Sequence, residues 1–182
     1  MTKIIFSIAL IGFIAIRAKY HNPNESQKEV KHKREVFLTL QFTASMMLTH
    51  FHWLFSSLPS QFPAIYSVIG GILMLSSLPF LYWIHASLGQ FFSARLELQE
   101  EHQIIDFGPY KRIRHPMYSC GFLYLIGAGL LASSWLVLIL PTLSFALLVS
   151  LRVSDEEKML LGYFGEDYEQ YMNRTGRFLP SI

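Results

Sequence analysis

The sequence is poor in cysteine and in charge. Its 182 residues include one cysteine, Cys120, so no disulfide can close within the chain and a cysteine-stapled secreted scaffold is excluded. Only 15% of residues are Asp, Glu, Lys or Arg, against about 25% in an average soluble domain. With 15 Lys and Arg and a formal net charge of +2, there is no basic stripe to follow phosphates, which argues against a nucleic-acid partner. There is no Gly-x-Gly-x-x-Gly and no phosphate loop, so the common soluble nucleotide-binding folds are not supported. No His-x-x-His pair or cysteine cluster occurs. His50 and His52 are two apart and point in different directions on a helix, so no metal site is expected. What remains is 52% hydrophobic and 15% aromatic, the composition of a small integral membrane protein.

The few charges are unevenly placed. None lies between Ile4 and Ile16, between Val36 and Ala94, or between His115 and Leu151. The second stretch would make a helix near 90 Å long at about 1.5 Å per residue, against a bilayer core about 30 Å thick. It must fold back, and Ser57–Pro63 carries the Pro and Ser of a turn. This gives spans at Val36–Ser57 and Ala64–Leu88. The third stretch reverses at Ser133-Ser134, giving spans at 117–132 and 135–151. Gly121, Gly127 and Gly129 permit close helix packing there. Ile4–Ile16, short for a span, has Lys3, Arg17, Lys19 and Tyr20 to anchor its ends. No small-residue cleavage site follows it, which argues against a signal peptide. The expectation is an all-α integral membrane protein of about five transmembrane helices, followed by a cytoplasmic C-terminal amphipathic helix.

Five spans place the segments 17–35, 89–116 and 152–182 on one side. Together they hold every acidic residue and every basic residue except Lys3. Cytoplasmic segments carry the Lys/Arg excess, so the N-terminus is expected outside and the C-terminus in the cytoplasm. Polar chemistry then belongs to the cytoplasmic face. There, Pro116 suits the first position of the fourth span, just after His115. A helix N-terminus offers unpaired N–H groups to a carboxylate or phosphate, with Lys111, Arg112 and Arg114 nearby. The alternative is an anchor for lipid headgroups. Further on, Ser154 and Glu157 have the spacing of a capping box. This gives Glu157 a structural task and leaves Glu156 without one. Arg152 precedes Glu156 by one turn, and either pairs or snorkels to lipid. Met159, Leu160, Tyr163, Phe164, Tyr168 and Tyr171 recur at helical spacing and form an amphipathic face.

Four pieces in this order resemble the integral membrane methyltransferases of the isoprenylcysteine carboxyl methyltransferase family. They are Gly108-Pro109-Tyr110, Arg114-His115-Pro116-Met117-Tyr118, Glu156-Glu157 and Phe164-Gly165-Glu166-Asp167-Tyr168. The ending from Tyr171 to Pro180 is similar to that of an archaeal member. The resemblance covers residues 65–182, a methyltransferase core. It leaves residues 1–64 as N-terminal transmembrane helices with a basic cytoplasmic loop. Phospholipid N-methyltransferases and methanethiol S-methyltransferases share the signatures.

The resemblance implies S-adenosylmethionine as cofactor. Its contacts would be His102, Gln103, Ile104, Ile105, Tyr110, His115, Pro116, Met117, Tyr118 and Glu156. Arg152 would bind the substrate and, with Glu156, form the catalytic pair. A lipophilic acceptor would enter from the bilayer. A carboxylate such as that of isoprenylcysteine needs no base, and Arg152 would orient it. An amine or thiol must lose a proton, with Glu156 or a histidine as base. Two other classes remain open: an NADPH-dependent membrane reductase and a non-catalytic membrane scaffold. Cofactor binding separates them.

Overall fold

The computed structural model describes residues 2–20, 62–88 and 104–181. The expected second span, His50, His52, His102 and Gln103 lie outside the described residues. Among those described, every regular element is a helix: α1 (Thr2–Lys19), α2 (Ala64–Leu88), a 3-10 turn (Gly108–Lys111), α3 (Pro116–Leu131), α4 (Trp135–Phe164) and α5 (Glu166–Arg174). α2 and α4 are long and apolar enough to cross a membrane, and α3 is a shorter apolar helix. Much of their surface turns large side chains outward, including Ile65, Val68, Ile72, Trp83, Leu143 and Leu147. Apolar patches of that extent suit a lipid environment.

α1 and α2 run side by side in the same direction. At one end Tyr20 stacks on His85 with ring centroids 5.2 Å apart, and Lys19 lies 5.2 Å from the Tyr82 ring. At the other, Ile5 approaches Gly71. α3 is antiparallel to α2 and packs closely against it. A Cβ on Gly70 would stand 2.3 Å from the backbone nitrogen of Leu131, and one on Gly127 would stand 2.6 Å from that of Met74. Gly127 therefore faces α2, whereas Gly121 meets Phe145 and Gly129 meets Leu138, both on α4. The core between the helices is Phe6, Ala9, Met74, Tyr124, Leu125, Ala128, Leu131, Phe145, Val149 and Val153.

The reversal falls at Ser133-Ser134, as expected. Ser133 takes φ 51° and Ser134 is the N-cap of α4. Ser133 Oγ accepts the Phe62 N–H at 2.8 Å, which ties this turn to the start of α2.

The chain departs from expectation after residue 151. α4 runs unbroken from Trp135 to Phe164, about 45 Å. It thus crosses the charge-free stretch and projects Arg152–Phe164 beyond a bilayer core of about 30 Å. Ser154 is inside this helix, where its N–H partners are already satisfied, so it does not cap one and the capping-box reading of Ser154 and Glu157 is wrong. The helix ends at Gly165, whose φ of 56° favours a residue without Cβ. One continuous amphipathic helix is thereby replaced by the end of α4 plus the short α5. Of its expected apolar face, Tyr168 and Tyr171 are buried while Tyr163 is exposed.

Candidate functional site: the Glu156–Glu157 turn against the start of α3

The end of the bundle that carries Glu156 and Glu157 is closed by the C-terminal tail. After α5 the chain turns back along the residues preceding α3. Ile113 and Gly176 form a parallel bridge. Gly176 N–H donates to Arg112 O at 3.0 Å, Arg114 N–H to Gly176 O at 2.8 Å, and His115 N–H to Arg177 O at 3.0 Å. Ser119 Oγ donates to Phe178 O at 2.5 Å, and Tyr171 Oη donates to Tyr110 O at 2.8 Å. The N–H groups of Arg114 and His115 are thus occupied by tail carbonyls. Those two N–H groups, at and just before the N-cap of α3, are therefore closed to an anion. Pro116 does take the first helical turn, with His115 as N-cap.

Arg114 is committed in the same way. Its Nε donates to Glu157 Oε1 at 3.1 Å, and its Nη1 to Met172 O at 2.7 Å and to Thr175 O. Lys111 and Arg112 remain exposed, and they are the cations of this cluster that face outward.

Glu156 and Glu157 are neighbours with opposite surroundings. Glu157 is 5% exposed. It accepts from Arg114, from His115 Nε2 at 3.2 Å, and from both Nε and Nη2 of Arg177. Burial pushes its carboxyl up, but the hydrogen bonds from His115, Arg177 and Arg114 outweigh it and hold the carboxyl down to about 2. Glu156 keeps 29% of its side chain exposed. Its Oε2 accepts from Tyr118 Oη at 3.0 Å and lies 4.0 Å from His115 Nδ1. One carboxylate is therefore a sealed structural anion. The other is presented, with a tyrosine to aim it.

Tyr110 is buried beneath this point, and burial, with Tyr171 and Glu156 close by, pushes its phenol well above the ordinary range. Ile105 and Met117 pack with Tyr110 against Leu81, Ile84 and Cys120. Ile104 is half-buried, and Pro116 is fully buried. Arg152 is half-buried one helical turn before Glu156. The structure thus gathers Tyr110, His115, Tyr118 and Glu156, with Arg152 adjacent. Ile105 and Met117 belong to the apolar packing below.

Residues 68–162 match the description "Isoprenylcysteine carboxyl methyltransferase (ICMT) family". The chain belongs to the isoprenylcysteine carboxyl methyltransferase family. The family stretch contains the 3-10 turn, the start of α3 and the Glu156-Glu157 turn, but stops before α5 and the tail. Among similar proteins is the protein-S-isoprenylcysteine O-methyltransferase of Xenopus laevis, 34% identical over 86 residues, 47% of this chain and 30% of that protein. The Schizosaccharomyces pombe enzyme of the same name is 30% identical over 83 residues, 46% of this chain and 35% of that one. The nickel-cobalt-cadmium resistance protein NccN of Alcaligenes xylosoxydans xylosoxydans is 31% identical over 80 residues, 44% of this chain and 37% of that protein. The matches span well under half the length of these three relatives. A solved structure of a eukaryotic intramembrane Ras methyltransferase of this family superposes with a TM-score of 0.68 at 23% identity, covering 96% of this chain and 64% of that one. That likeness is one of fold.

Sequence reasoning missed Arg177, Thr175 and the central place of Glu157. The available signal was a glutamate on a helix face that also carries Val149 and Val153, both buried. A carboxylate on such a face needs cations from elsewhere, and Arg114 and Arg177 supply them.

Proposed function

We propose that this chain transfers a methyl group from S-adenosylmethionine to the carboxylate of a lipophilic acceptor of the isoprenylcysteine type, at the cytoplasmic ends of its spans. The observation that carries this reading is the division of labour at Glu156-Glu157 within the family stretch. Glu157 is saturated by Arg114, Arg177 and His115, so Glu156 is the carboxylate left facing outward.

The donor set fits the cofactor. S-adenosylmethionine, when bound, supplies an activated methyl on a sulfonium, together with an amino group and a carboxylate. Glu156, aimed by Tyr118, suits the amino group or offsets the positive charge. Lys111 and Arg112 suit the carboxylate. The ring of Tyr118 offers a face to adenine or to the cation, with the buried Tyr110 as the floor beneath it. His102, Gln103, Ile104 and Ile105 complete the proposed contact set, the first two outside the described residues. Arg152 orients the acceptor carboxylate bidentately, and no base is needed. The protein's contribution is positioning and exclusion of water.

This reading takes the chain as five spans with the N-terminus outside. The parallel course of α1 and α2 is what one span between them demands, and Lys19 and the Glu156 turn then share the cytoplasmic side.

The test is label transfer from methyl-labelled S-adenosylmethionine, with purified protein in detergent, to S-farnesylcysteine, phosphatidylethanolamine or a small thiol in parallel. Labelled methyl ester on the first substrate supports the reading. Label only on the amine or the thiol reassigns the acceptor. Binding of NADPH without binding of S-adenosylhomocysteine overturns methyl transfer altogether.

A further inference from the structure

The two ring nitrogens of His115 face two different carboxylates. Nε2 lies 3.2 Å from Oε1 of the sealed Glu157. Nδ1 lies 4.0 Å from Oε2 of Glu156, the oxygen to which Tyr118 donates. The ring cannot readily rearrange. It is 5% exposed, stands between Tyr118 and Phe178, and its own backbone N–H is held by Arg177 O.

An ionised carboxylate can only accept hydrogen bonds. Glu157 stays ionised near neutral pH because burial is outweighed by its bonds from His115, Arg177 and Arg114. A hydrogen bond between Glu157 and Nε2 therefore requires the proton on Nε2. In the neutral ring, the lone pair is then on Nδ1.

We propose that Glu157 is a positioning residue that fixes His115 as the Nε2–H tautomer, so that the Nδ1 lone pair stands beside Glu156 as a second acceptor for a cationic N–H donor bound there. This rests on the reading that the methyl donor's amino group sits at Glu156. Two acceptors 4.0 Å apart subtend about 87° at an ammonium nitrogen about 2.9 Å from each, which two slightly bent hydrogen bonds accommodate. The opposite tautomer would turn an N–H toward that ammonium and repel it. The same carboxylate binds Arg177, so the tail, the histidine and the site are set by one group.

The pattern on Glu157 supplies a discriminating pair of variants. Oε1 serves His115, Arg114 and Arg177 Nε, while Oε2 serves Arg177 Nη2. In Glu157→Gln the amide oxygen can replace Oε1, keeping the tautomer and the Arg177 Nε bond while losing the Arg177 Nη2 contact. In Glu157→Leu no acceptor remains.

The experiment is histidine ¹⁵N NMR of the full chain in detergent, at pH values where the ring is neutral, with His115 assigned by comparison with His115→Asn. Steady-state methyl transfer is measured alongside. Wild type and Glu157→Gln are expected in the Nε2–H form, and Glu157→Leu with that preference lost. KM for S-adenosylmethionine should rise at least fivefold in Glu157→Leu, with a smaller change in kcat, and stay within twofold in Glu157→Gln. An Nδ1–H ring in wild type overturns the proposal, as does an unchanged tautomer in Glu157→Leu. If Glu157→Leu does not fold, the wild-type and Glu157→Gln spectra still decide. The Nε2–H form in a protein that transfers no methyl group leaves the tautomer assignment standing and removes the methyl-transfer reading instead.

Discussion

Tyr118 on α3 donates its hydroxyl to Oε2 of Glu156 on α4 at 3.0 Å, joining two helices whose only direct chain connection is the distant turn at Ser133. A side-chain carboxylate with 29% exposure is otherwise free to sample rotamers, and this bond restricts it. We expect Glu156→Ala to weaken S-adenosylhomocysteine binding at least tenfold, about 1.4 kcal/mol. Tyr118→Phe should weaken it about threefold to tenfold, the net worth of one ordinary hydrogen bond. Isothermal calorimetry in detergent reads both. Wild-type affinity in the Glu156 variant removes that residue from the cofactor site.

Glu157 and Ser154 exchange the roles that their spacing suggests. Ser154 is exposed in the middle of α4, so Ser154→Ala should change stability by no more than about 0.5 kcal/mol. Glu157→Ala leaves Arg114 and His115 facing each other in a buried space. A loss of about 3 kcal/mol is expected, the lower end for breaking a buried pair, because Arg177 is half exposed and keeps its water. Thermal unfolding in detergent ranks the two. A larger loss in the serine variant restores the capping box.

Much of this was legible in the chain. Charge-free stretches locate α2, α3 and the α3–α4 reversal to within a residue, because apolar length and Pro or Ser punctuation are local properties. The set Tyr110, His115, Tyr118 and Glu156 was legible through the order of its motifs. What was not legible depends on long-range contact. Ser154 and Glu157 satisfy a local capping pattern equally well whether or not a helix already runs through them, and the apolar residues before Arg152 carry α4 straight past. The pairing of Glu157 with Arg177 links residues on either side of the Gly165 break, and only the folded tail brings them together. His115 is the N-cap of α3 by position, but its side chain makes no cap bond and turns instead to Glu157 and Glu156.

Acid should dissolve the same network. The Glu157 carboxyl is lowered from 4.5 to about 2 in the fold, where burial is outweighed by hydrogen bonds from His115, Arg177 and Arg114. A group with a depressed folded value contributes stability above its unfolded value and loses it as pH falls through the folded one. The stability gap between wild type and Glu157→Gln should therefore be constant above about pH 5 and shrink steadily as pH falls from about 4.5 toward 2. Melting temperatures of the two proteins across that range test it. A gap that stays constant to pH 2.5 places the energetic role of Glu157 outside its ionisation.

Two glycines in helices should respond oppositely to alanine. At Gly70 the added methyl meets the Leu131 backbone nitrogen at 2.3 Å, so α2 and α3 must part. A cost of about 1–3 kcal/mol is expected from such overpacking. At Gly162 nothing lies within 4 Å, and alanine should add up to about 1 kcal/mol through helix propensity alone. Unfolding midpoints of Gly70→Ala and Gly162→Ala check both signs. Equal midpoints contradict the close approach of α2 and α3.

Arg152 lies four residues before Glu156 on α4, where the charge-free stretch ends. One helical turn separates them, so the two side chains share a face. A guanidinium at that depth suits an acceptor carboxylate or a lipid phosphate, both of which offer paired oxygens. The two roles differ in what substitution removes. If Arg152 orients the acceptor, Arg152→Ala abolishes transfer to S-farnesylcysteine while S-adenosylhomocysteine binds as in wild type. Arg152→Lys retains the charge but not the bidentate fork, and recovers little. If Arg152 only anchors the helix to lipid, Arg152→Lys restores turnover fully. Paired binding and transfer measurements on both variants separate the two, and full activity in Arg152→Ala excludes the substrate role.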